Sequence, residues 1–352
     1  MAGSRDLAAF AARMDTKYKP DPEPPTVIVP TGIFSLDWAL RVGGWQLGRI
    51  YEIVGPKDSG KSLTVIKGMV SHRQQFPDRG VAYINIENTF SESWATLSGL
   101  DCSKAASKAG TWANLPAATS EEASDKARDY VGSGLYSCLV IDSVGAMESA
   151  KVLGVEAIKD TMGRNAGVIT KLTKALAALA KDNRCTILLV NQPRANMSGF
   201  GGDISAGPKA MQHSTTAQIK MSGLNGEKDV RTAEYFGDTE RIGGRVRASI
   251  PRMKNGAPGR RADWFIMNRE TTQFGPAGVD FADDVISLGV RIGVIEQGGG
   301  GYYTLPTGEK FQGRLKAGVF LREHPDALAA VRKAFQFDAP ILDPTNPTEV
   351  SA

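Results

Sequence analysis

The chain has 352 residues, a length that accommodates one large hydrophobic core and a smaller second domain. With 41% hydrophobic and 23% charged residues and no apolar run of membrane-spanning length, its composition is typical of a soluble globular protein and excludes a bilayer-spanning helix. The net charge of +4 permits a polyanionic partner but does not demonstrate one.

The first residues lack the pattern of a secretory signal, because the apolar run Leu7 to Ala12 is interrupted at once by Arg13 and Asp15. We therefore expect a cytoplasmic protein. The cysteines are few, odd in number and not spaced as metal ligands, which favours buried, reduced thiols at Cys102, Cys138 and Cys185.

Residues Ser4 to Tyr18 place apolar side chains on one helical face and are followed by the proline-rich stretch Lys19 to Pro25. A lone amphipathic helix buries its apolar stripe either on its own domain or on a neighbouring subunit, and the residues leave both open. Our domain assignment takes residues 1–26 as a helix and linker that form a subunit contact.

A glycine-rich loop follows the strand-like run Arg49 to Val54 and precedes a helical pattern. It fits the phosphate-binding pattern G-x-x-x-x-G-K-[ST], and its strand and helix context makes a chance match improbable. Glycines let backbone N–H groups point at phosphate oxygens, while the helix adds the positive end of its dipole. We expect Lys61 to hold the β- and γ-phosphates and Ser62 a Mg²⁺. The predicted nucleotide-binding residues are Gly55, Pro56, Lys57, Asp58, Ser59, Gly60, Lys61, Ser62 and Leu63.

Two further strands end in acids. The strand Val81 to Ile86 delivers Glu87 to its carboxyl end, where a carboxylate can deprotonate water; a solvated loop acid is the alternative. The apolar strand Tyr136 to Asp142 has the Walker B form. Asp142 is expected to hold the Mg²⁺ shell through water, with support from Ser143.

A distinctive set of short motifs precedes the loop, namely Thr31-Gly32, Ser35-Leu36-Asp37, Ala39-Leu40, Gly43-Gly44 and Gly48-Arg49-Ile50. This segment is similar to the one that precedes the phosphate loop in RecA-family recombinases, and the resemblance extends from Val27 to Phe335. It implies an α/β fold: a RecA-like P-loop ATPase core with a mostly parallel central sheet, a short N-terminal helix and a small α+β C-terminal domain. We place the core at 27–270, the small domain at 271–337 and a disordered tail at 338–352.

The resemblance also implies roles for residues around the nucleotide. Glu87 occupies the place of the family's catalytic glutamate, although Asn85 and Asn88 stand where bacterial proteins usually have Asp and His. Trp94 aligns with an aromatic residue that stacks on adenine, and a core tryptophan is the alternative.

Three more residues complete the catalytic set, which contains Glu87 and Lys61. Gln192 follows the strand Cys185 to Val190, and in RecA proteins the glutamine there senses the γ-phosphate and signals to the second DNA-binding loop. Arg252 and Lys254 fall where the family has two lysines that reach across the filament interface to the neighbour's ATP.

Two segments resemble the family's DNA-binding loops. Residues Gly154 to Gly163 match the first loop loosely and precede a long helix, Arg164 to Lys181. The second, Arg194 to Lys209, is glycine-rich and carries one aromatic wedge for base steps; a merely flexible loop is the alternative. The predicted DNA-binding residues are Met162, Gly163, Arg164, Arg194, Met197, Ser198, Gly199, Phe200, Gly207 and Lys209.

Basic residues are concentrated after the second loop. The stretch Arg241 to Arg261 contains seven cations and no acid, and such cations repel one another unless an anion lies nearby. Lys310, Arg314 and Lys316 form either a duplex-DNA patch or a solvated face. Gln212 and His213 replace the Lys and Phe of bacterial RecA, and we expect His213 to be a packing residue.

The resemblance implies a recombinase that uses ATP and Mg²⁺. It would form a helical homo-oligomer on single-stranded DNA, pair it with homologous double-stranded DNA and exchange strands, with DNA-stimulated hydrolysis. Replacements in both DNA loops are more similar to a phage recombinase of the UvsX kind than to a housekeeping RecA. A single-stranded-DNA-binding protein and a mediator are further candidate partners, and no membrane partner is expected.

Two alternatives come from other classes. A hexameric RecA-fold DNA helicase is expected to carry an additional folded N-terminal domain, for which the residues ahead of Val27 leave no room. A non-catalytic recombination mediator is expected to have a degenerate ATP site, whereas Lys61, Ser62, Glu87 and Asp142 are intact.

Overall fold

A ten-stranded sheet runs through the computed structural model, which describes residues 25–147, 161–194, 204–205, 209–254, 256–271 and 274–335. The strands follow the order β14-β13-β12-β10-β3-β7-β6-β4-β5, and β11 pairs with β12. Pairing is parallel from β10 to β5 and antiparallel from β10 to β14. The predicted α/β fold class is confirmed. The strands are β3 (Ile50–Val54), β4 (Gly80–Asn85), β5 (Trp112–Pro116), β6 (Tyr136–Asp142), β7 (Thr186–Asn191), β10 (Ala217–Gly223), β11 (Val230–Tyr235), β12 (Asp238–Met253), β13 (Arg261–Met267) and β14 (Gly278–Val279).

Helices and short strands complete the described elements. The helices are α1 (Phe34–Ala39), α2 (Lys61–Gln75), α3 (Glu92–Leu97), α4 (Lys104–Lys108), α5 (Ser120–Gly132), α6 (Thr161–Asp182), α7 (Lys209–Ser214), α8 (Phe281–Arg291), α9 (Arg314–Glu323) and α10 (Pro325–Ala334). The short strands are β1 (Ile28–Val29), β2 (Trp45–Gln46), β8 (Pro193–Arg194), β9 (Ile204–Ser205), β15 (Glu296–Gln297), β16 (Tyr302–Thr304) and β17 (Lys310–Gln312). None of these helices is long and apolar enough to cross a bilayer.

The central strands are buried on both faces, as parallel strands covered by helices require. In β7, Leu188 and Val190 join one hydrophobic cluster while Ile187 and Leu189 join another, because successive side chains point to opposite faces. Burial on both faces explains why β3, β4, β6 and β7 read as nearly continuous apolar runs.

The C-terminal elements contact α1 through buried acids. Ile33, at the N-cap of α1, provides no side-chain cap, and Asp284 from α8 accepts hydrogen bonds from the backbone nitrogens of Phe34 (2.6 Å) and Ser35 (3.1 Å) instead. Burial raises the pKa of Asp284 to about 7. Asp37 pairs with Arg332 of α10 at 3.0 Å. These contacts join α1 to the small C-terminal elements.

The helices and strands predicted inside the described ranges are present, and most of their ends differ from the prediction by a few residues. The described residues from 28 to 335 belong to one compact unit, and the boundary at 270 stays a prediction. The thiols are unpaired, with Cys138 and Cys185 buried and Cys102 half-buried. The N-terminal helix and the tail at 338–352 lie outside the described residues.

Candidate active site

The phosphate loop joins β3 to α2, as predicted. Gly60 forms the N-cap of α2 at φ 87°, and a Cβ there would lie 2.6 Å from a methyl carbon of Ile266. A Cβ on Gly55 would lie 2.5 Å from the backbone oxygen of Met221. Both positions therefore require glycine, Gly60 for its left-handed backbone and Gly55 for the close approach of β10.

A cleft of about 640 Å³ opens beside this loop. Every predicted nucleotide-binding residue from Pro56 to Leu63 lines it, as does Trp94, whereas Gly55 does not. The rest of its lining comes from β10, β12, β13 and the residues beside them: Ser222, Gly223, Asn225, Arg241, Gly244, Arg245, Val246, Ile266 and Asn268. The cleft therefore continues from the phosphate loop across the antiparallel part of the sheet.

Lys61 lines the cleft and interacts electrostatically with neighbouring acids. Its Nζ donates a hydrogen bond to the backbone oxygen of Pro56 at 2.7 Å. Burial lowers the pKa of Lys61, and the negative charges of Asp142, Glu87 and Asp58 oppose that shift. The ammonium group thus lies where it can neutralise phosphate charge.

Three predicted residues form one hydrogen-bonded group. Glu87 Oε1 accepts hydrogen bonds from Ser143 Oγ and from Gln192 Nε2, the latter at 2.8 Å. They follow β4, β6 and β7, which are adjacent and parallel, so their carboxyl ends meet at one edge of the sheet.

Asp142 ends β6 beside this group and is 7% exposed. It accepts a hydrogen bond from the Tyr83 hydroxyl, and its peptide bond to Ser143 is cis. Burial raises the pKa of Asp142, the charge of Glu87 adds to the increase, and Tyr83 and Lys61 oppose it.

Ser62 and Asp142 fit the requirements of Mg²⁺. The ion usually takes one or two carboxylates and completes its shell with substrate phosphates and water, rather than with an all-protein cage. No cluster of three or more His, Cys, Asp and Glu suited to a metal occurs among the described residues. Ser62 lies exposed at the start of α2, next to the phosphate loop.

A buried polar network that sequence reasoning missed lies behind Gln192. Glu52 is fully buried in β3 and accepts hydrogen bonds from the side-chain amides of Asn191 (3.0 Å) and Gln218 (2.7 Å). The side-chain oxygen of Asn191 in turn accepts from the backbone nitrogen of Gln192 at 2.9 Å. An acid inside an apolar strand was the available signal.

Comparison with known proteins agrees with this architecture. The RecA N-terminal domain matches residues 20–273. The chain belongs to the RecA family. It is similar to the proteins named RecA of Frankia casuarinae (28% identity over 92% of this chain and 87% of that protein) and Salinispora arenicola (28%, 88% and 82%). The RecA of Bacteroides thetaiotaomicron is 26% identical, over 96% of this chain and 99% of that protein.

The two cations that the RecA family resemblance placed in the catalytic set are not among the residues that line their own chain's cleft. Arg252 donates to the backbone oxygen of Gln212 and, at 2.6 Å, to Thr215 Oγ1. Lys254 Nζ donates to the backbone oxygen of His213. Both cations thus hold the C-terminal end of α7, the helix that follows the second predicted DNA loop. Their action on a neighbouring subunit's ATP stays a prediction.

One expectation for this region was wrong. His213 lies exposed in the last turn of α7, so its side chain is not packed, and Lys254 contacts its backbone oxygen. The residues predicted to bind DNA remain predictions. Met162, Gly163 and Arg164 lie in the first turn of α6, Arg194 in β8 and Lys209 at the start of α7; Met197, Ser198, Gly199, Phe200 and Gly207 lie outside the described residues.

Acids from other parts of the chain partly neutralise the positive charge of the basic stretch from Arg241 to Arg261. Arg247 forms a two-pronged ion pair with Asp263 of β13, at 2.7 and 2.8 Å. Arg245 lies 3.7 Å from Asp229. Neighbouring strands therefore supply acids that the linear stretch lacks. In the C-terminal patch, Arg314 pairs with Asp283.

Proposed function

We propose that this RecA-family protein is an ATP-dependent recombinase. It assembles with ATP and Mg²⁺ as a helical homo-oligomer on single-stranded DNA, pairs that strand with homologous double-stranded DNA and exchanges strands. DNA stimulates its hydrolysis of ATP to ADP and phosphate. The observation that carries the proposal is the hydrogen bond between Gln192 and Glu87, beside the phosphate loop and two residues before the predicted DNA loop.

Hydrolysis uses groups that the sheet edge brings together. Glu87 acts as the general base that takes a proton from the attacking water. Ser143 and Gln192 hold that carboxylate through its Oε1 atom, which fixes its orientation. Lys61 and the loop N–H groups bind the phosphates. Mg²⁺, held by Ser62 and through water by Asp142, would neutralise charge on the phosphate oxygens.

Coupling between nucleotide and DNA passes through Gln192. Its side-chain amide donates to Glu87 in this structure, and a γ-phosphate oxygen is an alternative acceptor for the same amide. A change of acceptor would rotate the side chain of Gln192, which lies two residues before the Arg194 to Lys209 loop. The bound nucleotide can thereby alter the affinity for DNA, and DNA must alter nucleotide binding reciprocally.

Assembly places ATP between protomers, where Arg252 and Lys254 of one protomer reach the nucleotide of the next. Such a protein is expected in the cytoplasm, with a single-stranded-DNA-binding protein and a mediator as further partners. The replacements at Gln212 and His213 and in the DNA loops favour a phage recombinase of the UvsX kind.

Electron microscopy and phosphate release test the proposal together. With single-stranded DNA and a non-hydrolysable ATP analogue, the wild-type protein should form helical filaments, and with ATP it should release phosphate faster when DNA is added. The Lys61→Ala variant should lose phosphate release. Closed rings with strand separation would indicate a hexameric helicase, and DNA binding without hydrolysis would indicate a mediator.

A further inference from the structure

Arg241 lines the same cleft as the phosphate loop, and the family resemblance assigns it no role. It lies on β12, which is separated from β3 by one strand, β10. Neighbouring strands lie about 4.8 Å apart, so β12 is about 10 Å from the strand that carries the loop. Because residues of the loop and of β12 line one cleft, a nucleotide whose phosphates occupy the loop can extend its base and ribose toward β12.

A β-bulge and a glycine together direct Arg241 into the cleft. Arg231 and Thr232 are consecutive in β11, but their partners in β12 are Gly243 and Arg241, so Ile242 is an extra residue in that strand. Such a bulge changes the face on which the preceding side chain lies. The guanidinium reaches over Gly244, where a Cβ would collide with its Nη2 atom.

The charge of Arg241 is less compensated than that of its neighbours. Arg247 is paired with Asp263, Arg269 with Glu240 at 2.7 Å, and Arg245 lies near Asp229. Among the described residues, no ion pair joins Arg241 to an acid, and its Nε donates a hydrogen bond to the backbone oxygen of Gly243 at 3.4 Å. The exposed guanidinium is therefore available to a ligand in the cleft.

We propose that Arg241 binds the base-and-ribose half of ATP and, with Trp94, forms the two sides of a slot for the base. This deepens the proposed function and rests on it. Guanidinium groups stack flat on aromatic rings, and Trp94 is the aromatic residue among those lining the cleft. Arg241 is a binding residue and takes no part in the chemistry at the γ-phosphate.

Calorimetric titration of the full-length protein with ATP, ADP and inorganic tripolyphosphate tests this assignment. Arg241→Ala should weaken ATP and ADP binding about ten-fold each and leave tripolyphosphate binding unchanged. Arg241→Lys should recover only a small part of the lost ATP and ADP affinity, because an ammonium group lacks the planar face of a guanidinium. Arg247→Ala is the matched control on the same strand and should bind all three probes as the wild type does.

A double-mutant cycle tests the position of the Arg241 guanidinium over Gly244. Gly244→Ala should weaken ATP binding by displacing the guanidinium and should have no further effect in an Arg241→Ala background. Unchanged ATP affinity in Arg241→Ala, equal weakening for ATP and tripolyphosphate, or a Gly244→Ala effect that persists in the double variant would each overturn the proposal. Thermal unfolding of each variant checks that it folds. If the wild type binds no ATP, the proposed function fails before Arg241 is tested.

Discussion

Replacing Glu87 with glutamine separates the chemistry at the site from its architecture. The substitution removes one negative charge and preserves side-chain volume. In the wild type a single atom, Oε1, accepts from both Ser143 and Gln192. The carbonyl oxygen of a glutamine can accept both hydrogen bonds, so we expect Glu87→Gln to keep the three residues in contact.

The substitution should then lower the rate of hydrolysis only through the loss of proton abstraction from water. General-base catalysis contributes about 10²- to 10⁴-fold, which corresponds to about 2.7–5.4 kcal/mol of activation free energy. Binding should change little. The pKa of Lys61 falls further without the Glu87 charge, but Asp142 and Asp58 still oppose its fall. The pKa of Asp142 also falls, because a like charge is removed, so Mg²⁺ binding is retained.

The assay is single-turnover phosphate release with saturating single-stranded DNA, combined with separate titrations of ATP and DNA. Glu92→Gln is the matched control, since Glu92 is an exposed acid in the first turn of α3. Turnover in Glu87→Gln within two-fold of the wild type would refute the role of general base. A parallel loss of ATP affinity would show instead that Glu87 is needed to build the site.

Three further predictions concern coupling, assembly and pH. Gln192→Ala should keep ATP affinity near normal while DNA affinity loses its difference between ATP analogue and ADP; a retained difference would exclude the switch. A protein with both Arg252→Ala and Lys254→Ala should bind ATP yet be inactive, and mixing it with Lys61→Ala protein should restore some hydrolysis. No restoration at any ratio, once mixed assembly is shown, would count against action between subunits. Asp284 has its pKa raised by burial from 3.8 to about 7, so its contribution to stability is present at acidic pH and is lost as pH rises toward 7. Asp284→Asn should flatten that decline in Tm between about pH 4 and pH 7, and an unchanged decline would assign it to other groups.

The sequence was sufficient to predict the residues at the carboxyl ends of the parallel strands. The phosphate loop is a local motif, and Glu87, Asp142 and Gln192 each follow an apolar run whose end can be read directly. Because parallel neighbours end at the same edge, their proximity followed without knowledge of the detailed structure.

Features that depend on distant pairing could not be predicted. Asp284 caps a helix 250 residues earlier in the chain, which no local pattern indicates. The part of the cleft lining that comes from β12 depends on where β12 joins the sheet and on one extra residue at Ile242. Likewise, the acid that pairs with Arg247 comes from another strand, so the linear charge run overstated the need for an external anion.

The hydrogen bonds around Asn191 determine which part of Gln192 is able to move. Asn191 uses its amide nitrogen on Glu52 and its amide oxygen on the backbone of Gln192, while Glu52 also binds Gln218 on the opposite neighbour of β3. These hydrogen bonds link β7, β3 and β10 directly before Gln192. Because its main chain is held in this way, we expect any response of Gln192 to a γ-phosphate to be a rotation of its side chain rather than a sliding of the strand.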